Sequence, residues 1–193
     1  MSSILLSGFR PFGRYLSNPS MELVHRFHGR SFSGVEIIGS ILPVVREKSW
    51  QELHSLIETH QPCVVLCLGV SSRPMISLER FAINRDDFPI PDNEGNQPRN
   101  QRIIDAAPDC YQSTLPLKQL HCESKQRTML QFSDSAGSYV CNHLFFQLQH
   151  GLRNTDIASG FIHVPHTEVL PLCEQSDILE SILQILSERE CRS

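Results

Sequence analysis

The run Cys63-Val64-Val65-Leu66-Cys67-Leu68-Gly69-Val70 restricts the architecture of this chain more than any other stretch. It is apolar without alternation, so a strand formed from it carries greasy side chains on both faces and needs cover on both. That is the pattern of a central, parallel strand between two layers of helix. The preceding segment agrees, because Trp50, Leu53, Leu56 and Ile57 recur at helical spacing until Pro62 breaks the period. Strand and helix patterns alternate along the rest of the chain, which predicts an α/β class with a mostly parallel, mixed central sheet. At 193 residues and 40% hydrophobic content, the chain supplies one sizeable core, and residues 1–193 read as a single domain.

The remaining elements follow from local chemistry. Ile4-Leu5-Leu6-Ser7 reads as a short buried strand running into GFRPFG, where glycine and proline forbid regular structure. Asn18 then caps a helix with Pro19 in its first turn, apolar Leu23, Val24 and Phe27 on one face, and Gly29 near its end. Residues 35–45 form a strand stopped near Pro43, and residues 76–83 a further strand that contains Glu79. Residues 85–101 hold three prolines and a glycine among Asp and Asn, which predicts a long irregular segment of the kind that is often functional. Residues 113–120 lead into a helix toward Arg127, residues 129–132 form a short strand, and residues 161–164 form another that Pro165 stops. Residues 177–190 close the chain with an amphipathic helix.

The chemistry concentrates in residues 133–151, SDSAGSYVCNHLFFQLQHG. Small turn-forming residues precede Cys141, and Leu144, Phe145, Leu148 and Leu152 follow on one helical face, with Gly151 as the expected stop. Cys141 therefore falls in the first turn of a helix. Unpaired N–H groups and the positive end of the macrodipole there favour an anion, which lowers a thiol from about 8.5 toward neutrality. The plain alternative is a packed core cysteine on the face of Phe145 and Leu148. A strand–turn–helix–strand unit over residues 129–164, taken as a right-handed parallel crossover, brings His163 to the same sheet edge as Cys141. His143 points to another side of the helix and His166 lies past Pro165, so both are weaker partners. A thiol beside an imidazole oriented by a carboxylate is the arrangement that nucleophilic cysteine chemistry needs. For the carboxylate, Glu79, Asp86, Asp87, Asp92 and Asp134 all compete; Glu79 stands out because a charge inside a strand is costly, although an edge-strand position would also explain it.

Other classes find little support. A net charge of −4 and singly scattered basic residues give no nucleic-acid footprint and no attraction to an anionic membrane. No segment approaches transmembrane length, and Ile4-Leu5-Leu6 is too short for a signal sequence. Seven cysteines lack the paired spacing of a metal site, with Cys63 and Cys67 reading as core and Cys191 as tail, so free thiols in a reducing cytoplasm and no metal are expected. Gly8 and Gly13 have the outer spacing of a phosphate loop without the lysine that should follow, which leaves a nucleotide-processing α/β enzyme a weak rival. Phe9 and Phe12 in that loop could grip a flat ligand or simply plug the core.

Taken together, GFRPFG (8–13), NPS (18–20), LERFAIN (78–84), IPDNEG (90–95), SAGSYVCN (135–142) and GFIHVP (160–165) resemble the pyroglutamyl-peptidase I family of cysteine peptidases, in the same order and register over most of the chain. The resemblance implies a three-layer α/β/α sandwich and removal of an N-terminal pyroglutamyl residue from peptide substrates without a cofactor. It gives Cys141 the nucleophile position, His163 the base position and Glu79 that of the orienting acid. Phe9 and Phe12 match the residues enclosing the pyrrolidone ring, and Asn18 and Val70 fall at the same pocket. Two stretches depart from the family pattern: Val70-Ser71-Ser72-Arg73-Pro74 replaces a glycine-rich loop ending in arginine, and Pro89 stands where many members carry arginine. A member that binds blocked N-termini without turnover is the alternative. The apolar C-terminal helix suits burial within one chain or in a homo-oligomer.

Overall fold

The computed structural model describes residues 2–13 and 16–191. Its framework is a seven-stranded sheet in the order β2-β3-β1-β4-β9-β5-β8. Here β1 is Ser3–Phe9, β2 Ser31–Phe32, β3 Val35–Leu42, β4 Val64–Ser71, β5 Ile76–Glu79, β8 Leu130–Ser133 and β9 Ala158–Pro165. As the apolar run requires, β4 is central: it pairs in parallel with β1 on one side and β9 on the other. The sheet is mixed, since β2 runs antiparallel to β3 and β5 antiparallel to β9.

Helices cover both faces. One side chain set, Ile4, Leu6, Leu66, Leu68 and Ile162, packs with α1 (Pro19–Phe27), α3 (Leu117–Glu123) and α5 (Leu172–Arg189). The alternate set, Leu5, Val65, Cys67 and Phe161, packs with α2 (Arg46–His60) and α4 (Val140–Leu152). This is the expected three-layer sandwich, and the site lies on the second face. Asn18 caps α1 as its position implied, accepting from the Ser20 backbone N–H at 3.0 Å. No side chain caps α2 from its own N-cap Val45; instead Asp92, in the irregular 85–101 segment, accepts from the Arg46 N–H at 2.9 Å.

Several expectations change. Residues 76–83 do not form one strand: the chain breaks at Arg80 into β5 and β6 (Phe81–Ile83), and β6 leaves the main sheet to pair with β7 (Cys110–Gln112). Glu79 is therefore no edge charge, because β5 lies between β9 and β8. Nor do residues 129–164 make a parallel crossover. β8 is parallel to β5, which is antiparallel to β9, so β8 runs opposite to β9 with β5 between them. Gly151 lies inside α4 rather than stopping it; a Cβ there would meet the Trp50 ring at 2.7 Å, so its lack of side chain admits a close helix contact. The helix expected toward Arg127 divides into α3 and a 3-10 turn at Arg127–Met129, and α5 starts at Leu172, earlier than its apolar stripe shows.

The free-thiol expectation also fails at two positions. Cys63, just before β4, is bonded to Cys191, just after α5, with their Cα atoms 5.5 Å apart. The long return of α5 along the sheet brings its end to the start of the central strand, a proximity no spacing rule reveals. The bond closes a loop of 128 residues. The chain-entropy argument gives about 5 kcal/mol for a loop of this length, and disulfides typically contribute about 2–4 kcal/mol, so its loss should cost about 2–5 kcal/mol. Urea unfolding with and without dithiothreitol should show that difference, and Cys191→Ser should behave without reductant as the wild type does with it.

Candidate active site

The second face of the sheet places the site residues by register. Gly69 of β4 pairs with His163 of β9, and Phe161 of β9 lies opposite Glu79 of β5. Cross-strand partners share a face, so Glu79 is diagonal to His163 and within reach of it. The Nδ1 of His163 and Oε1 of Glu79 are 2.7 Å apart, both groups buried. A carboxylate on Nδ1 fixes the ring and leaves Nε2 free to accept a proton. The ring of Phe161 stands 4.9 Å from the imidazole and forms the floor beside it.

Cys141 occupies the second position of α4. Its sulfur lies over Gly69: a Cβ on that glycine would come within 2.9 Å of Cys141 Sγ and of the Phe161 ring. The absence of a side chain at position 69 is thus what allows the thiol to settle on the sheet beside the strand that carries His163. The turn 134–139 delivers the helix there. Because β8 runs opposite to β9, this turn and not a parallel crossover brings Cys141 to the strand positions of Gly69 and His163. Tyr139 begins α4 without a side-chain cap, so the N–H groups of Val140, Cys141 and Asn142 have no partner within the helix.

Cys141, His163, Phe9, Phe12, Asn18 and Val70 all line one pocket of about 300 Å³. Phe9, the last residue of β1, is buried against Phe161, so it serves both wall and core. Phe12 packs on Tyr139, which in turn meets the edge of Phe88. The polar group of Asn18 is committed elsewhere: its oxygen accepts from Ser20 and its amide donates to the Arg10 carbonyl at 3.2 Å. Asn18 thereby holds the loop that carries the two phenylalanines. Of the two departures from the family pattern, residues 70–73 line the pocket whereas Pro89 does not, its carbonyl accepting from Gln97 instead.

Every rival found in the sequence has another partner. His143 is fully buried with its Nδ1 2.9 Å from Asp86, which also accepts from Arg46. Asp87 pairs with Arg85, Asp134 with Arg80, and Asp92 accepts from the 92–96 turn. The sequence reading missed Gly69, whose signal is only its place in the apolar run, and Arg73. The Arg73 guanidinium donates to Glu79 Oε1 at 2.5 Å and to the Ser135 carbonyl at 2.7 Å.

Burial, with the charge of Glu79 and the neighbouring Cys67 adding to it, pushes the Cys141 thiol up to about 12, only partly offset by its own backbone N–H. This is opposite to the expectation of a thiol lowered by the helix end: the dipole acts, but desolvation in the half-buried pocket and the nearby Glu79 carboxylate outweigh it. The site at rest thus favours a neutral thiol.

The chain matches the sequence profile of a protein family described as pyroglutamyl peptidase over residues 2–177. It is 47% identical over 167 residues to a pyrrolidone-carboxylate peptidase of Vibrio vulnificus, covering 86% of this chain and 79% of that protein. One from Bacillus licheniformis is 41% identical over 187 residues, covering 94% and 87%. Among solved structures, pyroglutamyl peptidase I of Bacillus amyloliquefaciens aligns with a TM-score of 0.92 at 34% identity over 98% of both chains.

A protonated thiol at rest makes a measurable difference. Alkylation of Cys141 by iodoacetamide, followed by peptide mass spectrometry, should be slower at pH 7 than that of a small thiol and should show no plateau below about pH 8.5, the value of free cysteine. A plateau near neutrality would show a preformed thiolate.

Proposed function

The chain belongs to the pyroglutamyl peptidase family, and from that premise we propose that it hydrolyses the bond following an N-terminal pyroglutamyl residue, with Cys141 as nucleophile, His163 as general base and acid, and Glu79 as the acid that orients His163. The observation that carries the reading is the 2.7 Å contact of Glu79 with His163 in the pocket that also holds the Cys141 sulfur.

The proposed steps are these. His163, neutral and presenting Nε2, takes the Cys141 proton as the sulfur attacks the pyroglutamyl carbonyl. Proton transfer at the moment of attack suits a thiol that is protonated at rest. The oxyanion so formed meets the unpaired N–H groups at the start of α4, which need no reorganisation to receive it. Collapse breaks the C–N bond, and the imidazolium gives its proton to the departing amine. Water then loses a proton to His163 as it attacks the thioester, releasing pyroglutamate and restoring the thiol. Phe9 and Phe12 supply apolar walls for the neutral pyrrolidone ring, with Val70 beside them and Asn18 fixing the loop. An N-terminal lactam has no free amine, and this pocket offers no carboxylate aimed at one, since Glu79 is committed to His163 and Arg73.

We take the whole chain as one catalytic domain, because a single sheet positions all three working groups. For this reading we take the cytoplasm as the location, where Cys141 stays reduced and the Cys63–Cys191 pair would be held as thiols; no described helix is long and apolar enough to cross a membrane. Nothing at the site favours binding without turnover, because thiol and imidazole line one pocket and the acid is held on the imidazole.

Purified protein should release the fluorophore from a pyroglutamyl amide under reducing conditions, and Cys141→Ser should abolish this while leaving the circular dichroism spectrum intact; retained turnover would sink the assignment. Glu79→Gln should lower kcat by about 100-fold or more, since an amide that can also donate replaces the charged acceptor that fixes the ring's tautomer and stabilises its protonated form. Gly69→Ala should lower kcat at least about tenfold by displacing the sulfur, because a misplaced reacting atom is costly even when all the groups are present.

A further inference from the structure

Resting on the assignment of Cys141, His163 and Glu79 above, we propose that Arg73 is a fourth, positioning member of this site, which clamps the acid and the turn carrying the nucleophile with one guanidinium. Its two donors reach different parts of the machinery. Nη1 donates to Glu79 Oε1 at 2.5 Å, the same oxygen that receives His163 Nδ1 at 2.7 Å. Nη2 donates to the carbonyl of Ser135 at 2.7 Å, in the turn that leads directly into α4 and Cys141. Glu79 Oε2 is buried and has no hydrogen-bond partner among the described residues. One oxygen of the carboxylate therefore carries both contacts, and the cation helps select which oxygen faces the imidazole.

Two physical needs meet here. A carboxylate with no exposed surface, facing a neutral imidazole and a neutral thiol, is expensive to keep ionised without a compensating cation. Arg73 is that cation, lying at the pocket rim with its side chain one-third exposed. The second need is register. β8 ends opposite Glu79, so the chain must double back over residues 134–139 to set Cys141 above Gly69. The bond to the Ser135 carbonyl ties that returning turn to the acid, and hence ties nucleophile to base. A lysine could supply the charge but not both directed donors, because only the planar fork presents two N–H groups in fixed geometry.

The charged and titratable groups at this site are Glu79 from β5 on His163, Cys141 from α4 with Cys67 from β4 beside it, and Arg73 from the β4–β5 loop on Glu79; Asp134 on the adjoining turn is neutralised by Arg80 at 2.5 Å. Removing Arg73 leaves Glu79 facing His163 alone. The protonated imidazole is then favoured, and the pH below which the base is lost rises.

The test is Arg73→Gln and Arg73→Lys, read by the pH profile of kcat/KM for a pyroglutamyl amide. A parallel NMR titration of His163 in the Cys141→Ser background involves no turnover. Arg73→Gln should lower kcat by about 10–100-fold and move both the acid limb and the His163 titration upward by about one pH unit. Arg73→Lys should return the limb and the titration to their original positions while leaving part of the kcat loss. If Arg73→Gln raises KM alone, or leaves the His163 titration unmoved, the proposal is overturned. Absence of turnover in the wild type together with a shifted His163 titration would leave the Arg73–Glu79–His163 coupling standing and refute the peptidase reading instead.

Discussion

A carboxylate buried inside a sheet has to be compensated, and the structure around Glu79 is arranged to meet that demand. Neither of its oxygens reaches water, and removing one member of a buried charge pair typically costs about 3–5 kcal/mol, a figure to be discounted here because Arg73 is partly exposed. The partners that meet the demand come from three places: β9 supplies His163, the β4–β5 loop supplies Arg73, and Arg73 reaches onward to the turn before α4. Satisfying one acid therefore fixes the relative positions of the strand with the base and the helix with the thiol. The break at Arg80 belongs to the same arrangement. It ends β5 at Glu79 and turns Arg80 outward to Asp134, so that the two adjacent charges find different partners.

The close approach at Gly69 completes the geometry. Registers of β4 with β9 and of β9 with β5 put Gly69, His163 and Glu79 on one face, and a side chain at position 69 would occupy the place of the sulfur. Burial that makes this contact possible also raises the thiol, which fits the proposed transfer of its proton to His163 during attack. The walls are apolar and aromatic, suited to a neutral ring.

A second buried histidine–carboxylate pair, His143 with Asp86, contrasts with the pair at the pocket. It lies one turn from the start of the same helix, uses the same kinds of group at 2.9 Å, and recruits Arg46 as its cation. Yet neither His143 nor Asp86 lines the pocket. Asp86 instead joins the irregular 85–101 segment to the start of α2, and Asp92 reinforces that joint by capping the helix.

Much was legible in the sequence because it depends on local periodicity. The apolar run of β4 fixed a central two-faced strand, Asn18-Pro19 fixed the start of α1, and the change of character around residue 140 put Cys141 in the first turn of its helix. These are properties of neighbours a few residues apart, where side-chain spacing maps directly onto a face. What lay beyond it were choices among equals. Five carboxylates and several histidines had the right chemistry; the family resemblance pointed to Glu79 and His163, and strand pairing supplies the physical reason by bringing residues 84 positions apart into diagonal contact. The direction of β8, the bond between Cys63 and Cys191, and the clamp formed by Arg73 likewise arise from long-range packing. The sequence alone determined which residue types were available and where the local elements begin. Tertiary structure alone decided which of them meet, because register and burial are properties of the assembled sheet and not of any one segment.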